Sequence, residues 1–328
     1  MSFVKEELDE LSKKCTSEVD SSELITCHQA SVRVKLRKTK FKNLVVCLQF
    51  GDDYPSSPII IELKSKTISE KLLHGICNIA DAEAKKYLGT RQVLPVLKFI
   101  RQFLEDNAFA VCSDELSFIK KELITPEDEI KVKQKSGVLT TNINQKNYFM
   151  KLKFTIPNNY PEEQASVEQK ETNFPDLFQK MCIAQATEMA RQCVAPPLKK
   201  KPKDLPFEAK PSLKFIAEFL IRGCIQRYPM EKCVICKETA FPADPNHVVN
   251  DPQHGRHVEW VYCGHLFHHG CLSEYMKTPP FTGGKKCPSC GKRVYHEKWK
   301  IAPKTAEERW AHEQARQREL EEVVDFLG

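Results

Sequence analysis

The amino-acid sequence predicts an α+β protein in which a duplicated unit precedes a small cysteine- and histidine-rich module and a C-terminal helix. A pattern of alternating strand, Tyr-Pro turn and helices occurs twice within the first 228 residues. A set of six cysteines and two histidines at close spacing then spans positions 233 to 290. Because each copy places its strands before its main helices, both copies fit the α+β class.

Length and charge limit the kinds of protein that this chain can be. With 328 residues, 41% of them apolar, it can form two to four domains with buried cores. The net charge of +6 is modest, and the basic residues are scattered rather than arranged along one helix. Nucleic-acid binding is therefore the weakest function class that we consider, and we do not expect it.

The sequence predicts a soluble intracellular protein, cytoplasmic, with the nucleus left open as a second location. Acidic residues stand where a signal peptide needs an apolar run, and no apolar stretch approaches the ~18 residues of a membrane span. Fourteen cysteines in such a chain indicate a reducing compartment. Eight of these lack paired spacing, and we expect most of them to be buried free thiols: Cys15, Cys27, Cys47, Cys77, Cys112, Cys182, Cys193 and Cys224.

The first copy has clear strand and helix patterns. The strongest strand signal puts alternating apolar residues on one face: Leu44, Val46, Leu48 and Phe50. The expected elements are a helix over 3–15, strands over 23–36, 41–50 and 59–63, and helices over 67–88 and 95–106. Thr67-x-x-Glu70 is expected to form a capping box at the start of the helix over 67–88, and Gly89 to end it.

The same order recurs later in the chain. Tyr160-Pro161 follows Tyr54-Pro55 by 106 residues, and the helical segment 213–220 repeats segment 97–104 after 116 residues. The alternating strand residues of the second copy are Met150, Leu152, Phe154 and Ile156. A basic Pro/Lys loop over 196–204 accounts for the extra length, as a solvated loop or a nuclear-import signal. Chance similarity of short helix motifs is the alternative to duplication.

The cysteine- and histidine-rich module has the ligand spacing of two zinc ions. Its ligands form four close pairs: Cys233-x2-Cys236, Cys263-x-His265, His268-x2-Cys271 and Cys287-x2-Cys290. Each Zn²⁺ takes four Cys or His ligands, so eight ligands predict two closed structural sites. Disulfides or buried thiols are disfavoured without a sign of secretion. Spacing alone leaves two groupings open, either the first four with the last four or alternate pairs.

Four further histidines lie near the ligands. His269 would leave one residue before Cys271 rather than two, so we expect it not to bind metal. The others, His247, His254 and His257, have no cysteine partner and are expected, like His269, to face solvent.

The order of elements in both copies resembles the RWD domain, a relative of the ubiquitin-conjugating enzyme fold. The turn Tyr54-Pro55-x-x-Pro58 carries this resemblance, whereas the second copy has Gln164-Ala165 where the further proline would stand. The resemblance implies RWD-like modules over 1–110 and 111–228. Cys77 lies within a helix pattern and no His-Pro-Asn stretch follows the turn, so we expect binding modules without a catalytic cysteine.

The eight ligands resemble the RING-type zinc finger, in the form with two central histidines. This implies a domain over 229–300 and interleaved ligands. Cys233, Cys236, His268 and Cys271 would hold one zinc, and Cys263, His265, Cys287 and Cys290 the other. RING fingers recruit a ubiquitin-charged conjugating enzyme (E2) without forming a covalent intermediate on the ligase.

The family's E2-contact positions correspond to Ile235, Tyr275 and Pro288. An apolar side chain between two zinc ligands is hard to bury in so small a module, which independently favours an exposed Ile235. For Tyr275, local packing is the alternative. Many strong RING ligases carry an arginine directly after the last cysteine, but this chain has Gly291, so its intrinsic activity is expected to be weak or to need help.

The C-terminal tail, 301–328, is expected to be a helix begun by a capping box at Thr305-x-x-Glu308. Its apolar stripe could pack back on the protein or dock a partner helix, and consists of Leu320, Val323, Val324 and Leu327. The link 227–230 before Cys233 is short, which suggests that the zinc module is held near the second copy.

The ligand spacing predicts two structural Zn²⁺, and the resemblances to RING and RWD domains imply a RING-type E3 ubiquitin ligase. Its expected partners are an E2, ubiquitin, and a protein substrate or complex partner bound through the RWD-like modules, with no membrane association. The layout is similar to that of the Fanconi anaemia core-complex ligase subunit. The alternative is a non-catalytic scaffold or adaptor with a structural RING, which Gly291 favours.

Overall fold

The computed structural model of the chain describes residues 3–196, 207–294 and 303–327, with the backbone alone at 303 and 322–327. The chain divides into two units. Unit 1 contains Met1–Ile143, Met150–Thr172 and Gln179–Arg222, and unit 2 contains Asn144–Phe149, Asn173–Phe178 and Gly223–Gly328. Within the described ranges, no helix combines the length and the apolar character needed to cross a membrane.

The first sheet in unit 1 is antiparallel and follows chain order. Its strands are β1 (Ser22–Cys27), β2 (Val32–Arg37), β3 (Asn43–Gln49) and β4 (Ile60–Lys64). Val46 stands opposite Val34 on one side and Leu63 on the other, which places the alternating apolar residues on one buried face. The single strand predicted over 23–36 is wrong, because a turn closed by His28 and Ser31 (3.1 Å for each hydrogen bond) divides it into a hairpin.

Three helices complete the first copy: α1 (Phe3–Glu18), α2 (Glu70–Ala84) and α3 (Val93–Asp106). Their buried faces join the sheet in one core. The capping box predicted at Thr67 is wrong, since Ser69 occupies the N-cap position without a side-chain cap bond. The Thr67 hydroxyl donates instead to the Phe41 carbonyl (2.5 Å), because the tertiary fold brings that acceptor within reach.

A second four-stranded antiparallel sheet has the same strand order. Its strands are β5 (Glu129–Lys133), β6 (Val138–Gln145), β7 (Tyr148–Thr155) and β8 (Ser166–Thr172). The helices of this region are α4 (Ser113–Phe118, continued by a π turn Ile119–Leu123), α5 (Asp176–Val194) and α6 (Leu213–Glu218, continued by a π turn Phe219–Ile225). The alternating apolar residues predicted on β7 and just beyond are buried: Met150, Leu152, Phe154 and Ile156.

The tyrosine of the first Tyr-Pro turn ties the first copy together. Tyr54 donates its hydroxyl hydrogen to Glu7 Oε2 on α1 (2.5 Å) and accepts the Gln92 N–H (3.1 Å). Glu7 Oε1 accepts the Val93 N–H at the start of α3 (2.8 Å). Glu7 is only 2% exposed, so one buried carboxylate satisfies both the turn and an orphan donor of the helix.

The same constellation recurs in the second copy. Tyr160 donates to Glu115 Oε2 on α4 (2.7 Å) and accepts the N–H groups of Ser212 (2.7 Å) and Leu213 (3.0 Å). Glu115 Oε1 accepts the Lys214 N–H at the start of α6 (2.9 Å). Burial raises the pKa of Glu115 and that of Tyr160, which keeps the phenol protonated as a donor.

Unit 2 contains the remaining elements: β9 (Val258–Trp260), β10 (Leu266–His268), α7 (His269–Lys277) and α8 (Pro303–Leu327). β9 and β10 pair as an antiparallel ribbon. The capping box predicted at Thr305 is wrong, because α8 begins at Pro303 and Thr305 lies inside its first turn. Proline at the first helical position suits this earlier start.

Two predicted features lie partly or wholly outside the described residues. The Pro/Lys loop falls within 197–206 except for Pro196. In the apolar stripe of the tail, Leu320 is 58% exposed, and the side chains of Val323, Val324 and Leu327 are not described.

The cysteines outside the zinc module are free thiols, and five of the eight are buried. The three half-buried ones are Cys27, Cys77 and Cys193. Burial raises the pKa of Cys77, which disfavours a thiolate nucleophile there.

We expect Tyr160→Phe to destabilise the second copy by about 1–3 kcal/mol, because two backbone donors and Glu115 each lose a buried partner. Amide hydrogen exchange at Ser212 and Leu213 should become faster. Tyr262→Phe serves as the control, since Tyr262 is 92% exposed. Unchanged exchange at both amides in the Tyr160 variant would contradict the assigned role.

Candidate metal centre

Two turns with the same backbone form present four of the cysteines. We call residues 233–238 the first cysteine turn and residues 287–292 the second. Lys237 N–H donates to the Cys233 carbonyl (3.0 Å), and Gly291 N–H donates to the Cys287 carbonyl (2.8 Å). In both turns the N–H of the opening cysteine donates to the carbonyl five residues further on (2.7 Å). Lys237 and Gly291 take positive φ values of 64° and 69°, which close the turns.

The first ligand cluster combines the first cysteine turn with the ribbon and α7. Its members are Cys233, Cys236, His268 and Cys271, with ligand atoms all within 4.8 Å of one another. His268 ends β10, and Cys271 lies in the first turn of α7. The imidazole presents Nδ1 to the thiols, 3.3 Å from Cys236 Sγ.

The second ligand cluster combines the β9–β10 turn with the second cysteine turn. Its members are Cys263, His265, Cys287 and Cys290, again within 4.8 Å of one another. His265 Nδ1 lies 3.4 Å from Cys263 Sγ. The structure therefore groups alternate pairs, which the spacing alone left undecided.

The thiols in each cluster differ in their affinity for protons. Burial opposes ionisation of Cys233, but hydrogen bonds from His268 and nearby backbone N–H groups lower its pKa to about 6. Burial, together with the neighbouring Cys233, raises the pKa of Cys271 to about 12, and burial raises that of Cys263 to about 11. Without a cation, so many close thiols cannot all ionise, whereas a divalent metal favours the thiolates.

The donor sets fit zinc. Three thiols and one imidazole converge in each cluster, and tetrahedral Cys₃His coordination is a common structural zinc site. Four protein ligands complete each coordination sphere, so the metals would stabilise the fold rather than activate water. The prediction of two structural Zn²⁺ is confirmed, because the described part of the chain contains two clusters suited to two zinc ions.

The neighbouring histidines stay outside both clusters. His247 and His254 are exposed, as expected. The expectation of solvent exposure is wrong for His269, which is 9% exposed with Nδ1 2.8 Å from Glu259 Oε1. His257 is half-buried, and its Nδ1 lies 2.9 Å from the Val249 carbonyl. Packing of the long loop between the ligand pairs accounts for both.

An aromatic cluster supports the metal centre within unit 2. Phe178 packs edge-on to Tyr228 (4.9 Å between ring centroids) and against Trp260 (5.6 Å). Phe174 packs against Phe178 (4.6 Å) and edge-on to Phe241 (6.1 Å). Rings from α5 and the segment before it therefore cover the β9 side of the metal module.

Tyr148 extends this aromatic cluster and links it by hydrogen bonding. Its ring lies 5.7 Å from that of Phe241, and its hydroxyl donates to the Pro242 carbonyl (2.9 Å). Asn147 Nδ2 donates to the Ala243 carbonyl (2.9 Å). All of these contacts lie within unit 2. Sequence reasoning missed the residues themselves, because their only signal was apolar character at strand and helix positions.

Two of the three E2-contact candidates pack against a small apolar cluster. Ile235 and Tyr275 are half-buried against its core, which includes Val261, Phe267 and Leu272, while Pro288 is exposed. The Tyr275 hydroxyl donates to the Lys286 carbonyl (2.7 Å), and Lys285 Nζ lies 4.6 Å from its ring centroid. Tyr275 therefore packs locally within the zinc module, and this role does not depend on an E2 contact.

Comparison with known families identifies two domains. Residues 4–104 match the RWD domain, and residues 233–290 match the zinc finger of C3HC4 type (RING finger). His268 stands at the ligand position that the C3HC4 pattern gives to a cysteine. The search of curated proteins found no match for this chain. The two domain types are consistent with a protein of the ubiquitin pathway.

We expect Phe174→Ala to destabilise unit 2 by about 3–5 kcal/mol, because it opens a cavity under Tyr148, Phe178 and Phe241. Hydrogen exchange across β9 and β10 should become faster. Phe215→Ala is the control, since Phe215 is 51% exposed and should change stability by less than about 0.5 kcal/mol. Unaltered exchange in the ribbon would show that the aromatic cluster does not support it.

Proposed function

We propose that this chain, with an RWD domain before a RING finger, is an E3 ubiquitin ligase that recruits a ubiquitin-charged E2 through its zinc module. The observation that carries the proposal is the position of Ile235 and Tyr275. Both stand partly exposed on the apolar cluster that includes cysteines of both metal sites. Closed zinc sites leave no position for substrate or water, so the module acts through its surface.

The two cysteine turns would present this surface. Ile235 lies between Cys233 and Cys236, and Pro288 lies between Cys287 and Cys290, so each metal site orients one contact residue. A partner that covers Ile235, Pro288 and the free edge of Tyr275 would remove apolar area from water. Rate enhancement would come from holding the E2 thioester in a reactive arrangement, with no bond formed to the ligase.

The α+β copies would supply the second binding function. The region 111–228 has the strand order of the RWD domain and the same glutamate–tyrosine constellation, which supports a second RWD-like module there. We assign substrate or complex-partner binding to modules 1–110 and 111–228, in the manner of the Fanconi anaemia core-complex ligase. We place the activity in the cytoplasm, with the nucleus as a second location.

Ile235→Ala should slow ubiquitin discharge from charged E2 enzymes at least about fivefold, because truncating an interface anchor costs more than about 1 kcal/mol. The assay uses the zinc-loaded full chain and a panel of E2 enzymes. Ile60→Ala is the matched control, since Ile60 is 55% exposed on β4. If the wild-type chain accelerates discharge from no E2, the ligase proposal is overturned.

Gly291→Arg should increase discharge. A Cβ at this position meets no atom within 4 Å, and Lys237 already holds the equivalent positive φ in the first cysteine turn. The backbone strain of about 1–2 kcal/mol should therefore be tolerated. Gly291→Ala adds the same strain without the guanidinium and should give no gain. Equal rates for the arginine and alanine variants would contradict this expectation.

A scaffold without catalytic function is the second candidate. It is favoured by Gly291 and by the engagement of Tyr275 with Lys285 and Lys286, which occupies part of the proposed contact surface. The discharge assay separates the two, because a scaffold would retain its zinc and its partners without accelerating transfer.

A further inference from the structure

Ser289 contacts a metal-ligand histidine from outside the ligand set. Its Oγ lies 3.1 Å from His265 Nε2, while Nδ1 of the same ring faces the thiols of the second cluster. The two ring nitrogens therefore have separate partners. Ser289 itself is exposed, so no requirement of core packing explains its placement.

The two cysteine turns differ at this position. Ser289 precedes Cys290 as Ile235 precedes Cys236. The two turns have the same backbone hydrogen bonds, and in each the residue after the second cysteine has a positive φ. In the first turn the position carries an apolar side chain against the small core. In the second it carries a hydroxyl directed at a ligand ring. The shared backbone form therefore does not explain why this position of the second turn has a serine.

We propose that Ser289 is a positioning residue for the second zinc site, acting through His265. An imidazole can bind zinc through Nδ1 only when that nitrogen is unprotonated, so the neutral ring must carry its hydrogen on Nε2. Ser289 Oγ accepts this N–H. The bond selects the required tautomer and fixes the plane of the ring, as outer partners of metal-bound histidines do.

This role predicts a selective effect on one of two sites. Release of zinc requires the ring to turn away from the metal, and the hydrogen bond to Ser289 opposes that rotation. The first site does not depend on it, because its imidazole belongs to His268. Loss of the hydroxyl should therefore weaken the second site about 10–100-fold and leave the first unchanged. The inference does not depend on the proposed ligase activity.

The test is chelator-driven zinc release from the loaded full chain, comparing wild type with Ser289→Ala and Ser289→Thr. In the alanine variant, one of the two zinc equivalents should leave about 10–100-fold faster, and threonine should restore the wild-type rate. Thr282→Ala is the matched control, because it removes an exposed hydroxyl from the same module. In parallel, nitrogen-15 NMR should show the His265 Nε2 hydrogen exchanging faster with solvent only in the alanine variant.

Two results would overturn the proposal. The first is release of both zinc equivalents from Ser289→Ala at the wild-type rate, with unchanged exchange of the His265 ring hydrogen. The second is equal acceleration of both equivalents without rescue by threonine, which would indicate general loosening of the module.

Discussion

A glutamate–tyrosine hydrogen bond holds each α+β copy of this protein together. In the first copy it joins Glu7 and Tyr54, and in the second Glu115 and Tyr160. Each pair also accepts the leading N–H groups of the copy's last helix, so three segments far apart in the chain meet at one buried site. An unpaired buried carboxylate or amide would cost about 1–3 kcal/mol, which explains why all members must be present together.

Unit 2 achieves its stability differently. The apolar core around the metal ligands is small, and binding of structural zinc contributes of order 10 kcal/mol to folding in modules of this kind. The aromatic cluster of Phe174, Phe178, Tyr228, Phe241 and Trp260 adds apolar burial that the zinc module lacks by itself. Metal coordination and aromatic packing are thus complementary.

The two cysteine turns share one backbone form but differ in the side chain that precedes the second cysteine. Ile235 in the first places apolar surface at the rim of the core, whereas Ser289 in the second places a hydroxyl on a ligand ring. Pro288 beside Ser289 keeps apolar character on the exposed side. The zinc ligands and the residues proposed to contact a partner are therefore adjacent in the same turns, and a change in zinc coordination is expected to alter that contact surface.

Sequence alone determined the fold class, the alternating strand faces and the eight metal ligands, because periodicity and ligand spacing are local properties of the chain. It also located the repeated Tyr-Pro turn but not the role of its tyrosine. Nothing in the residues around Glu7 and Glu115 indicates that these carboxylates accept hydrogen bonds from Tyr54 and Tyr160. The capping boxes expected at Thr67 and Thr305 failed because tertiary acceptors or an earlier proline governed those helix starts. Ligand spacing left the grouping open, and the tertiary structure shows the interleaved one that the RING resemblance implied. The burial of His269 and the aromatic cover from Tyr148 and Phe174 were decided only by the tertiary structure. Each depends on which distant segments lie side by side, and short-range pattern cannot specify that.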